Sequence, residues 1–414
     1  MRISGLIKPE IFELIEKKDW NTLKDVLSYW PAPDVADFLM DVEMPYRVFL
    51  FRSLPRKTSA DVFSYLESKD KDELLQALSV EETAYLLANL SPDDRTELFE
   101  DVPGQVIQRL LNLLSPNDYR ETVELLGYPE ESVGRLMTPD YVAVRPSWTV
   151  EQALAHIRSL GKDSETINVI FVTDESWKLL DSLGLRKLIL ANPANTIEQL
   201  MDRQFVSISA FEDREKAVEL IRHYDLYALA VVDNDGILVG IVTVDDVIDV
   251  ASQEATEDFQ LAAAVTPLKE SYREASIWFL YRKRIGWLAI LLIVGLVSSA
   301  VIAHFEDTLG AAIVLTVFLP LLIATGGNTG AQSSTLIVRA LSVGDVELKE
   351  WLRALTRELV MGLTLGASMG FIGWFLGFFV GGYTVAAIVA LTMFFIVFVA
   401  NITGAALPLL LTRI

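Results

Sequence analysis

Residues 320–341 read PLLIATGGNTGAQSSTLIVRAL, and the polar run Gly326-Gly327-Asn328-Thr329-Gly330 sits inside a stretch otherwise apolar enough to cross a membrane. In hydrocarbon an unpaired backbone N–H or C=O is costly, so non-helical backbone at membrane depth survives only where protein or water surrounds it. Two readings follow. The run breaks the helix and lines a pore or substrate site, or it stays helical and its small residues let neighbouring helices approach closely. The expectation taken here is the break.

Outward from that run, apolar segments fall at about 285–303, 309–338, 358–380 and 384–411. Each is long enough for the roughly 30 Å of a hydrocarbon core. Arg282, Lys283 and Arg284 precede the first, Arg339, Lys349, Arg353 and Arg357 separate the second from the third, and Arg413 follows the fourth. The positive-inside rule puts all of these in the cytoplasm. The remaining loops, HFEDTLG and GGYT, carry no Lys or Arg and face outward. Gly362, Gly366 and Gly370, then Gly373, Gly377 and Gly381, recur every four residues, a spacing that suits close helix packing.

Residues 1–281 hold 27 Lys/Arg against 50 Asp/Glu, whereas residues 282–414 hold 8 against 6. So acidic a part repels nucleic acid and favours cations as partners. There are no cysteines, and His156, His223 and His304 are scattered, so thiolate and histidine metal centres are not expected. No nucleophile–base pair, P-loop or zinc motif marks an enzyme. The opening MRISGLIKPE lacks an apolar core. The acidic part is therefore expected in the cytoplasm, with the spans in the cell's inner membrane and lipid around them.

Before residue 130, Trp30, Val42, Leu54, Leu66, Leu78, Leu90, Val102 and Leu114 recur every twelve residues, most followed by Pro or Ser. Each unit reads as a short helix and a turn, with Ser or Asp as N-cap and Pro92 and Pro116 in the first helical position. Helices this short bury their apolar faces only by stacking, which predicts a superhelix. From about 132 the pattern turns α/β. NVIFVTD (168–174) reads as a strand, and the stretch 227–250 as strand, turn at Asn234-Asp235-Gly236, strand, then a helix after Thr243. RLMTPDYVAVRPSWTVEQALAHIRSL and QLMDRQFVSISAFEDREKAVELIRHYDL align with each other, so one module occurs twice. The two copies resemble paired cystathionine-β-synthase (CBS) domains, which commonly sense nucleotides or ions. In the first copy LLDSLGLRKL departs from the regular strand-turn-helix of the second.

The last helix of the second copy reads DDVIDVASQEATEDFQ, and Asp246, Asp249, Glu254, Glu257 and Asp258 spread over about half its circumference. Like charges so spaced destabilise a helix, and a cation relieves them. Carboxylates with water suit Mg²⁺ or Ca²⁺.

Taken together, the superhelical part, the CBS pair, VTVDDVIDVASQEATEDF and PLLIATGGNTGAQSSTLIVRAL closely resemble the MgtE family of magnesium channels, over nearly the whole chain. The resemblance implies a multi-domain membrane protein: an all-α N domain (1–130), α/β tandem CBS domains (131–250), a connecting plug helix (251–281) and an α-helical transmembrane domain of four spans (282–414). It implies a homodimer with the pore between subunits, closed when cytoplasmic Mg²⁺ binds acidic interfaces and locks the plug. By the resemblance, Asp93 and Glu97 are metal ligands of the N domain. Asp213, Glu215 and Asp225 are those of the second CBS module, and Asp246, Asp249, Glu254, Glu257 and Asp258 those of its last helix and the plug. Gly326, Gly327, Asn328, Thr329, Glu358 and Asn401 belong to the pore. Mg²⁺ is both cargo and regulator, other divalent cations are not separated from it, and ATP is compatible with the CBS domains. Family members have a fifth span bearing a pore aspartate, whereas here no Asp or Glu follows Glu358. The expectation is therefore a poor Mg²⁺ pathway in the membrane part taken alone. The alternative is a non-conducting membrane-anchored Mg²⁺ or nucleotide sensor.

Overall fold

The twelve-residue anchors become the spine of the N-terminal part. In the computed structural model, which describes the chain apart from residues 1–10, 12, 15–16, 18, 103, 163, 263–264, 269–271, 273–274, 308–312, 343–345, 347–349 and 412–414, short helices follow one another from Trp20–Ser28 to Pro116–Leu126. Val42, Leu54, Leu66, Leu78, Leu90 and Val102 are buried in one continuous core, with Trp30 and Leu114 packed against it. Pro92 and Pro116 open their helices as expected, and Ser79 and Ser115 accept a backbone N–H as N-caps. Buried arginines tie successive turns together. Arg95 reaches Thr122 at 2.9 Å and Glu121 at 2.5 Å, and Arg47 pairs with Asp70.

Each CBS module is a three-stranded sheet. In the first, β1 (Ala143–Val144) runs parallel to β2 (Val169–Thr173), and β2 antiparallel to β3 (Leu179–Gly184). In the second, β4 (Ser207–Ser209), β5 (Ala228–Val232) and β6 (Leu238–Thr243) repeat that order. LLDSLGLRKL is not a departure in fold: it forms β3 and the helix Leu185–Leu190, because alternate residues of β3 are buried just as a half-covered strand requires. Phe171, Leu179, Ala228, Ala230, Leu238 and Ile241 make a core between the modules. Leu125 joins the second module's core and seats the end of the superhelix on it.

The acidic helix runs Val244–Ala262. Residues 265–268 are non-helical and the next helix starts at Ile277, so the connecting segment 251–281 is not one helix, a correction to the expected plug. The chain divides into two compact units, residues 1–259 with 268–275 and residues 260–267 with 276–414.

In the second unit three helices are long and apolar enough to cross a membrane: Ile277–His304, Ile313–Leu341 and Trp351–Leu411. The last is interrupted at Gly381 and Gly382, where φ is −147° and 73°, and folds back on itself. Close approaches between Gly370 and the Ala390 carbonyl, and between Gly377 and Ala386, mark the antiparallel pair. The interruption divides this last helix into two apolar segments. Lys349, Arg413 and residues 308–312, where the loop HFEDTLG meets the second apolar segment, lie outside the described residues.

Candidate functional site

The helix Pro92–Asp101 presents Asp93 and Asp94 toward the start of the acidic helix. Asp93 Oδ1 is buried without a hydrogen-bond partner. Burial first, then Asp246, Asp94 and Glu165, push its carboxyl well above the usual range, with the Ser91 hydroxyl pulling the other way. Asp246 accepts the Thr243 hydroxyl at 2.7 Å, yet burial, Asp245, Glu165 and Asp94 push it up to about 7. Asp94, Glu165 and Asp249 are raised too, burial leading in each case. Tyr65, from two repeats earlier, is raised by burial and by Asp245, Asp94 and Asp249. Several carboxylates and a phenol thus face one another across the joint between superhelix and second CBS module.

Glu97 lies on the same helix as Asp93. It pairs at 3.5 Å with Lys71, whose side chain is buried. Asp94 stands beside Asp93, and Asp245, Glu165 and Tyr65 were not foreseen. Position on a helix wheel could have suggested Asp245. Glu165 comes from a loop, and nothing in its sequence surroundings marks it.

A second acidic group forms farther along the same helix. Asp213 caps the helix Arg214–Tyr224 by accepting the Glu215 N–H at 2.8 Å. Glu215 is raised by burial and then by Glu254, Asp213, Asp258 and Glu219. Glu254 is raised by burial against the pull of Arg214, which it meets at 3.1 Å, and Glu257 adds to the rise. Asp225 ends the helix Arg214–Tyr224 in a left-handed conformation, φ 51°, and is not among the groups acting on Glu215.

Among the described residues, no three Asp, Glu or His side chains are placed to hold an ion directly. Mg²⁺ gives up its waters reluctantly and is commonly held by one or two carboxylates through a partly retained water shell. An arrangement of separated carboxylates with a buried, unsatisfied oxygen fits such a hydrated ion.

In the second unit the expected break does not occur. Gly326-Gly327-Asn328-Thr329-Gly330 is helical, inside Leu319–Ser342. Gly326 and Gly330 serve packing instead: a Cβ on Gly404 would lie 2.9 Å from Gly330 Cα, and one on Gly326 2.8 Å from Ile396. Thr329 and Ser333 are buried, and Ser333 donates to Glu358 Oε2 at 3.0 Å. Buried Asn401 donates to the Glu358 carbonyl and to Oε2, both at 2.8 Å. Gly327, Asn328, Gln332 and Thr335 lie exposed. At 100° per residue Asn328, Gln332, Thr335 and Arg339 form one stripe. Gln332 and Thr335 were not foreseen, although their spacing from Asn328 could have revealed them.

Matching family patterns cover most of the chain: the MgtE intracellular N domain over residues 30–131, the CBS domain over 133–192 and 197–253, and a divalent cation transporter domain over 319–414. Magnesium transporter MgtE of Thermus thermophilus is 37% identical over 405 residues, 97% of this chain and 90% of its own length. The chain belongs to the MgtE family. A Bacillus subtilis protein of the same name is 38% identical over 56% of this chain and 51% of its own length. Among solved structures, the cytosolic domain of the Mg²⁺ channel MgtE in complex with ATP matches with TM-score 0.56 and 36% identity, covering 58% of this chain and 98% of that one.

Proposed function

We propose that this chain carries Mg²⁺ across the cell's inner membrane as a homodimer, and that its cytoplasmic acidic groups sense the same ion. Family membership supports the cargo. One observation carries the sensing: the buried, unpartnered Asp93 Oδ1 facing Asp246. Without an ion these carboxyls either repel or hold protons; a hydrated Mg²⁺ removes both penalties. The polar stripe of Asn328, Gln332 and Thr335 supports a path along the second span, since polar side chains within spans face a bundle interior or water. The first span buries no residue within this chain, which supports a second copy beside it. ATP at the CBS pair enters the proposal through the relative solved with it, and calorimetric titration of ATP checks it.

Moving a two-state gate from 1:99 to 99:1 takes about 5.5 kcal/mol of differential binding. A site at tenfold its Kd contributes about 1.4 kcal/mol, so several sites must act together. The test is limited proteolysis of the full chain across residues 260–276 at rising Mg²⁺. Protection should appear cooperatively below about 20 mM, the range of weak water-retaining sites, and Asp93→Asn should shift its midpoint. A cleavage rate indifferent to Mg²⁺ in both proteins would rule out the sensing role. Mg²⁺ uptake by proteoliposomes tests the cargo separately, and Gln332→Leu should lower it.

A further inference from the structure

Between the cytoplasmic end of the second span and the start of the third lies a cavity of about 340 Å³, within the roughly 300–1,000 Å³ typical of small-ligand sites. Its apolar wall is Leu336, Ile337, Ala340 and Ala354, and Arg353 and Arg357 stand one helical turn apart beside it. Both arginines are exposed. Arg353 makes a loose pair with Glu350 at 3.6 Å, and among the described residues Arg357 makes no ion pair. The other carboxylate in the lining, Glu358, is turned to Ser333 and Asn401.

Two guanidiniums would oppose a cation moving past them, so the Mg²⁺ path does not account for this pair. We infer that the cavity holds the anionic headgroup of an inner-leaflet phospholipid, its phosphate bridged by Arg353 and Arg357 and its chains leading down over Leu336. Arginine forks match phosphate oxygens, and basic pockets between spans on the cytoplasmic side are natural headgroup sites. The inference rests on the membrane placement proposed above, but not on Mg²⁺ transport.

The experiment is native mass spectrometry of the full chain released from vesicles of equal phosphatidylglycerol and phosphatidylcholine. The wild-type chain should retain phosphatidylglycerol over phosphatidylcholine. Arg353→Gln with Arg357→Gln should cut that preference about tenfold, as expected for losing a charged hydrogen bond. Arg353→Lys with Arg357→Lys keeps the charge and should keep part of the preference, which separates loss of the site from misfolding. Equal retention of both lipids, an unchanged preference in the Gln variant, or displacement of the lipid by inorganic phosphate would each overturn the assignment. So would a cross-link showing that a second copy fills the cavity. Magnesium uptake measured on the same vesicles reports independently on the transport reading.

Discussion

The two CBS modules share one backbone and differ in what they put on it. Pairings Val169 with Gly184 and Thr173 with Leu179 in the first repeat as Ala228 with Thr243 and Val232 with Leu238 in the second. Even the turn is copied: Asp174 accepts the N–H of Ser176 and Lys178, as Asp233 accepts those of Asp235 and Ile237. Yet Asp181 stands where the second module has Gly240, Trp177 where it has Gly236, and Lys187 where it has Asp246. Module one uses a carboxylate to hold its own backbone. Module two uses one to face another domain. The same scaffold carries a structural brace in one copy and an acidic face in the other.

The sharpest way to break this contrast is at Asp246. A carboxyl raised to about 7 in the folded chain from its ordinary 3.8 binds more protons folded than unfolded in that window. Its stabilising contribution is therefore complete below about 4 and lost as pH rises through 7, roughly 4 kcal/mol at 1.4 per unit. Without Mg²⁺ the full chain's cytoplasmic melting transition should fall over that range, and saturating Mg²⁺ should flatten the slope. Asp246→Lys, which installs the first module's residue, should flatten it without Mg²⁺. If melting curves of that variant keep both the slope and the Mg²⁺ response, Asp246 is not what distinguishes the modules.

A smaller effect is expected at Asp181, which is fully buried and accepts the N–H groups of Ser182, Asp202 and Arg203 at 2.8, 2.9 and 3.0 Å. Asp181→Ala strands those donors and should cost about 3 kcal/mol, read as a drop in Tm of roughly 6–12 °C. The reverse exchange at Gly240 should also destabilise, because a Cβ there would lie 2.8 Å from Met137 Sδ and 3.0 Å from the Thr138 carbonyl. An Asp181→Ala chain that melts with the wild type would remove the brace from the comparison.

The smallest effect belongs to Trp177. Its φ of 64° strains a bulky residue where Gly236 sits at 80° without cost. Arg145 lies 4.6 Å over the indole ring, a contact worth about 0.5–1 kcal/mol at an exposed site. Trp177→Gly relieves the strain and loses the contact, so unfolding free energy should move by less than about 1 kcal/mol. A larger loss in denaturant melts would show that the ring does more than cover Arg145.

These residues also mark how far the sequence could be read. The superhelix was legible because its anchors repeat, and a repeat is local information. LLDSLGLRKL looked irregular because a buried aspartate is foreign to a strand; beside the local Ser182 N–H, those of Asp202 and Arg203, brought in from a later loop, make it tolerable. Asp94 and Glu97 lie three residues apart on one helix, and their different surroundings depend on Lys71, which a local reading does not place beside Glu97. The Gly326–Gly330 run was read as a break because its partner, Gly404, is distant in sequence, and close contact between two glycine backbones leaves no local signature.

The turn at Gly381 and Gly382 has a mechanical corollary. It joins two spans so tightly that they cannot separate at that end, while Asn401 grips Glu358 about 35 Å away at 1.5 Å per helical residue. The pair is a set of tweezers with its pivot at the glycine turn and its clasp at Asn401 and Glu358. Spreading of the arms is therefore confined to the end away from the turn, where the two hydrogen bonds of Asn401 to Glu358 hold them together.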